Sequence, residues 1–231
     1  MARKAAGITE QQDSYIREDL NLSKHEISQL VGHDVQKIAD LTKAEAFQVI
    51  EMTIDNTVLS FHPGAKIKVE IKITDPAEGL PASFRGDAEV KHYQVQMADG
   101  GLYMNAVIYI PALQKTITRG IGFLRSHAKL LQETEGGREA AQKSLDQFHF
   151  LQDWYQKIIK NIAALWWKNL HAAKLPSKAL HIQHLSPAFK RKLAEHMLGY
   201  MEREFRDRKE LTDEMMEDAF LAVVGYAIFG R

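Results

Sequence analysis

Lys157, Lys160, Lys168, Lys174, Lys178, Lys190, Arg191 and Lys192 all lie between Asp153 and Glu195, a stretch that contains no acidic residue. Trp154, Tyr155, Trp166, Trp167 and Phe189 are interleaved with them. Cations at this density neutralise phosphates and release their counterions, and flat rings stack on unpaired bases. The chain as a whole is neutral, with 30 basic and 30 acidic residues, so the gap is a local separation of charge. A neutral protein that concentrates positive charge on one segment offers a surface to something negative.

At 100° per residue, Phe148, Leu151, Trp154, Tyr155, Ile158, Ile159, Ile162, Leu165 and Trp166 fall in one broad arc. Lys157, Lys160, Trp167, Lys168, His171 and Lys174 fall on the opposite one. Trp167 thus places an indole among lysines on the polar face. Lys178, Lys190, Arg191 and Lys192 extend the same sign, which gives an expected nucleic-acid-binding surface over residues 154–192. The alternative is that Trp167 packs under the segment that follows and the lysines are a solvated face. An anionic membrane would suit the same cations, but the apolar arc opposite reads as core, so no membrane partner is expected.

Other chemistry is poorly represented. His181 and His184 are spaced i, i+3, with His171 upstream and His196 downstream. A hydrolytic metal site also needs a third ligand and a general base, and Glu195 is the one acid close to them, so these histidines read as polar residues of a basic linker. No metal and no cofactor is expected. Arg85-Gly86-Asp87 reads as a chance tripeptide in a loop. Gly100-Gly101 and Gly136-Gly137 lack a phosphate-binding context, and no serine sits in a G-x-S-x-G elbow. Cysteine is absent, which removes thiol nucleophiles and thiolate metal sites. The start, MARKAAGITEQQ, lacks the apolar core of a signal peptide, and no run approaches the roughly 18 apolar residues of a membrane span. The expected setting is cytoplasmic.

The elements that must hold these residues divide at residue 60. Ser23 with Glu26 and Thr42 with Glu45 have the spacing of capping boxes. They predict helices after Ser23 (ending at Gly32) and after Thr42 (through Ile50 to about Ile54). A third short helix is predicted after Asp34, through Val35, Ile38 and Leu41. This segment is acidic, with ten Asp and Glu against six Lys and Arg. From Ala65 to Thr74 the period becomes two, with Ile67, Val69, Ile71 and Ile73 on one face, which predicts a half-buried strand. A loop is expected from Pro76 to Gly86. A second strand follows with Tyr93, Val95 and Met97 on one face, then a hairpin at Asp99-Gly100-Gly101. A third strand is expected over Leu102–Ile110 and a short fourth over Lys115–Arg119. Helices are expected over Phe123–Thr134 and from about Arg138 to Ala173. After Ser186-Pro187 another runs to about Arg208, and Thr212 opens an apolar last helix.

Ile8-Thr9-Glu10-Gln11-Gln12, then Leu22-Ser23-Lys24-His25-Glu26-Ile27, and Asp40-Leu41-Thr42-Lys43-Ala44-Glu45-Ala46 followed by Ile50 form a pattern with a known likeness. It resembles a small helical module attached to phage-type recombination and single-strand annealing proteins and to other proteins of mobile elements. The resemblance covers residues 8–53 and implies a DNA-linked or partner-binding role.

The expected fold is α+β: a small helical module over 1–60, then an antiparallel meander of three to four strands with helices packed on it over 61–231. The expected function is a nucleic-acid-binding accessory protein of a phage or mobile element, acting on single-stranded DNA or RNA. The second reading is a non-enzymatic assembly subunit, with the basic face docking an acidic protein partner or with residues 212–229 forming a homo-oligomer. A metal-dependent enzyme is the third.

Overall fold

The computed structural model describes residues 7–72, 83–98, 101–172, 186–205, 208 and 210–229, with backbone alone for 72, 170–172 and 225–229. The architecture is α+β, with helices before and after an antiparallel five-stranded sheet. Two compact units are present. One comprises Met1–Gln96 with Tyr103–Asp146, and the other Met97–Leu102 with Gln147–Arg231. Residues 1–60 lie within the first.

In the first unit, three reciprocal caps start the N-terminal helices. Thr9 and Gln12 cap α1 (Glu10–Ser14), which continues as one wide π-helical turn over Tyr15–Asp19. Ser23 and Glu26 cap α2 (Lys24–Val31), which ends on Gly32 in the left-handed region at φ 78°. Thr42 and Glu45 cap α3 (Lys43–Ser60). Each box satisfies two backbone donors that a helix start leaves open. α3 runs past the expected end near Ile54. The Thr53 and Thr57 hydroxyls donate back to the Val49 and Thr53 carbonyls at 2.6 and 2.7 Å, so buried polar side chains are satisfied without breaking the helix. The predicted helix after Asp34 is instead a single 3-10 turn, Ile38–Asp40. Val35 and Leu41 are both buried, but so short a segment does not repay helix nucleation, and the Asp40 carboxylate accepts the Lys37 N–H at 3.0 Å.

His33, just past α2, meets Glu45 in the first turn of α3 at 2.8 Å. The Glu45 hydrogen bond raises the His33 pKa above 6.5. The Thr42 backbone N–H, then His33, lower Glu45 to about 2. The histidine's contribution to stability is therefore full below its unfolded pKa of 6.5 and lost as pH rises through the higher folded value. The glutamate's contribution is present above 4.5 and lost as pH falls towards about 2. A proton NMR titration of His33 is expected to give a midpoint above 6.5, moving down towards it in Glu45→Gln.

The sheet order is β4-β3-β2-β1-β5, with β1 Lys66–Lys72, β2 Ser83–Ala98, β3 Gly101–Ile110, β4 Lys115–Gly120 and β5 Ala128–Gln132. The β1–β2 register sets Lys66 opposite Glu89, Lys68 opposite Asp87 and Glu70 opposite Arg85. Opposite charges therefore face each other at Lys66, Lys68 and Glu70 of β1, while Ile67, Val69 and Ile71 are buried. The meander is as expected over its first four strands; Ile73 and the turn at Asp99-Gly100 lie outside the described residues. β2 begins at Ser83, inside the segment expected as loop, so Arg85-Gly86-Asp87 is strand paired with β1.

The fifth strand corrects the helix expected over Phe123–Thr134. α4 occupies only Ile121–His127, and Ala128–Gln132 then pairs antiparallel with β1. The apolar spacing of this segment suits a helix or a strand, and the second edge of β1 decides for the strand by supplying backbone partners. Ile16, Leu20, Ile27, Val49, Ile54, Val58, Ile67, Val69, Val90, Ile108 and Leu124 form the core of this unit.

In the second unit, α5 (Gly137–Ala172) contributes its residues from Gln147 on, joined by α6 (Pro187–Glu204) and α7 (Asp213–Phe229). Phe148, Leu151, Trp154, Tyr155, Ile158, Ile162, Leu165 and Trp166 are buried, with Ile159 half-buried at the edge, so the predicted apolar arc is core apart from Ile159. Leu193, Met197, Leu198 and Met201 of α6 and Met216, Ala219 and Phe220 of α7 complete it. Ser186 caps α6, accepting the Phe189 N–H at 3.2 Å, with Pro187 at the first helical position. Thr212 caps α7, its hydroxyl accepting the Met215 N–H at 3.2 Å.

Candidate nucleic-acid interface

Burial of one arc of α5 forces the other towards water. Lys157, Lys160 and Lys168 are exposed and, at 3.6 residues per turn, lie within about 80° of one another over about 16 Å of helix. Trp167 lies beside Lys160 on this surface, half-buried and engaged in a contact of its own. In α6, Arg191 and Lys192 are exposed and Lys190 is half-buried. No acid stands in the first turn of α6, so the partial positive charge of the helix start adds to its cations. Lys174 and Lys178 lie outside the described residues, and for His171 only the backbone position, in the last turn of α5, is described.

The lysine stripe is not bare. Lys157 pairs with Asp153 one turn earlier at 2.8 Å, and Lys168 pairs with Glu217 of α7 at 2.6 Å. The first pair was readable from its i, i+4 spacing. The second joins residues 49 apart in the chain and gave no sequence signal. Both lysines are about half exposed, at 49% and 63%. Ion pairs of that exposure contribute only about 0.2–1 kcal/mol, so they would oppose an anion at these lysines only weakly. Arg191 and Glu195 are electrostatic neighbours of Tyr155. Burial pushes its phenol up to about 12, with Glu195 adding to the shift and Arg191 opposing it.

The aromatic residues of the segment differ in burial. Trp154, Tyr155 and Trp166 are core, Trp167 is half-buried and Phe189 is 43% exposed. Its ring meets Trp166 edge to face, with centroids 5.4 Å apart at 85°. Sequence reasoning set Phe189 among the interleaved aromatics but not among the contact residues, because nothing local separates a surface phenylalanine from a core one.

Among the described residues no group of three or more His, Asp or Glu is placed to hold a metal ion. His196 is exposed, and His181 and His184 lie outside the described residues. No described helix is long and apolar enough to cross a membrane. Comparison with known proteins finds no matching family model, no similar curated protein and no similar solved structure. The likeness of residues 8–53 to the mobile-element module therefore rests on the residues quoted above.

Proposed function

We propose that this chain is a cytoplasmic nucleic-acid-binding accessory protein that engages the phosphates of single-stranded DNA or RNA through Lys157, Lys160 and Lys168 of α5 and Lys190, Arg191 and Lys192 of α6. The observation that carries the reading is the shared exposed stripe of the three α5 lysines on a helix whose opposite arc is core. The resemblance of residues 8–53 supports a phage or mobile-element setting.

The ion pairs provide the test. Asp153→Asn with Glu217→Gln frees Lys157 and Lys168 without touching a cation. In a fluorescence-anisotropy titration of a labelled oligonucleotide, the double variant is expected to bind several-fold more tightly than the parent at low salt. The slope of log K against log salt is expected to stay close to that of the parent, because the same lysines meet the same phosphates in both. Unchanged affinity would place the binding surface elsewhere or nowhere.

Because Asp153 and Glu217 already fit these lysines, an acidic protein segment is the second reading. It would have the oligonucleotide fail to bind at low salt while a poly-glutamate chain binds. Self-association through residues 212–229 belongs to the same reading, and light scattering reads it directly.

A further inference from the structure

We propose that Phe189 is the side chain on which an unpaired base stacks, so that the cationic start of α6 takes single-stranded nucleic acid in preference to duplex. This rests on the reading above and adds a residue and a discrimination that phosphate contacts alone do not provide.

Four observations converge on Phe189. It is 43% exposed, whereas Trp154, Tyr155 and Trp166 of the same basic segment are buried. Its backbone is fixed, because its N–H donates to the capping Ser186 hydroxyl at 3.2 Å. Its ring is fixed as well, edge to face with Trp166 at 5.4 Å, and Trp166 in turn stands edge to face with Phe220 at 6.2 Å and 86°. Whichever ring presents its edge in the Phe189–Trp166 contact, at least one face of Phe189 is left uncovered by it. Lys190, Arg191 and Lys192 follow directly, and no carboxylate stands in that turn of the helix.

A partly exposed ring packed on Trp166, followed directly in the chain by three cations, suits a nucleotide with its base splayed out and its phosphate neutralised. In a duplex the faces of the bases are already stacked on one another and only their edges and the backbone are offered. A duplex can therefore satisfy the cations but not Phe189. An acidic protein segment would satisfy the cations and leave the ring in water.

The test uses the full chain with labelled oligothymidylate and with a duplex of equal length, at one low salt concentration, followed by anisotropy. The single strand is expected to bind more tightly than the duplex. Phe189→Ala is expected to lower single-strand affinity about 5- to 100-fold, the range a lost stacked base gives, and to leave duplex affinity and both salt slopes unchanged. Phe189→Trp is expected to restore single-strand binding, which separates stacking from a folding defect, and circular-dichroism melting of each variant checks the fold directly. Salt-dependent binding that is indifferent to Phe189→Ala, or a loss that Phe189→Trp does not recover, overturns this inference and leaves the phosphate-binding reading standing. Absence of binding by the parent protein at low salt overturns both.

Discussion

Lys157→Glu, Lys160→Glu and Lys168→Glu introduced together are expected to reduce oligonucleotide affinity by roughly two orders of magnitude or more at low salt. The three lysines are exposed, so each replacement changes local charge by two units without opening the core. Asp153 and Glu217, which partner Lys157 and Lys168, would then stand beside two new carboxylates, and the stripe would repel a polyanion along its whole length. Three lost phosphate contacts also remove about 2 from the slope of log K against log salt, at roughly 0.7 per contact for a single strand. Exposed substitutions of this kind usually shift stability by about 0.5 kcal/mol or less, and relieving two surface ion pairs adds little, so the thermal melt is expected to stay close to that of the parent. A triple variant that melts normally and binds as tightly as the parent would remove the lysine stripe from any role in recognition. The effect should also exceed that of Phe189→Ala, because charge reversal acts on every phosphate in reach while the ring acts on one base.

The parts of the fold that the sequence made legible are those specified locally. Capping boxes at Ser23 and Thr42 need only four residues each, and both are formed. The alternation of β1 and the apolar arc of α5 are long enough to average over exceptions, and their buried residues are those the period predicts. What the sequence hid depends on partners far along the chain. Ala128–Gln132 is a strand because β1 has an edge to complete, and nothing within the segment distinguishes that from a continued helix. Ser83–Arg85 belongs to β2 because Glu70, Ile71 and Lys72 stand opposite, despite the Pro- and Gly-rich run before it. The charge gap of residues 154–194 was visible at once, but a gap in sequence is not a gap in space, and Glu217 reaches Lys168 from another helix. The same holds for the rings: Trp166 and Phe189 look equivalent in composition, and only packing makes one of them core and the other surface.

Gly122→Ala is expected to destabilise the first unit by about 3 kcal/mol or more, and to prevent its folding if the chain does not yield. Helix propensity alone predicts the reverse, since alanine is about 1 kcal/mol better than glycine inside a helix. The decision rests on what a Cβ at Gly122 would meet. It would come within 1.4 Å of the Asp19 carbonyl oxygen, 2.6 Å of its carbon and 3.3 Å of the Leu20 Cα. All three are backbone atoms, so no side-chain rotation relieves the overlap. α4 would have to withdraw from the π-helical turn Tyr15–Asp19, and its fastenings would go with it. Arg125 donates to the Leu20 carbonyl at 3.2 Å and to Glu26 at 2.6 Å, and Asn21 donates to Ser126 at 3.1 Å. Gly199 of α6 supplies the matched control. A Cβ there would meet only the Arg203 guanidinium at 3.9 Å, an ordinary contact, so Gly199→Ala is expected to follow propensity and stabilise by up to about 1 kcal/mol. Urea unfolding followed by circular dichroism should therefore give opposite signs for two nominally identical substitutions in helices. A stabilised Gly122→Ala would mean that α4 does not press on the Asp19 carbonyl, and the close approach that ties α4 to the N-terminal helices would have to be given up.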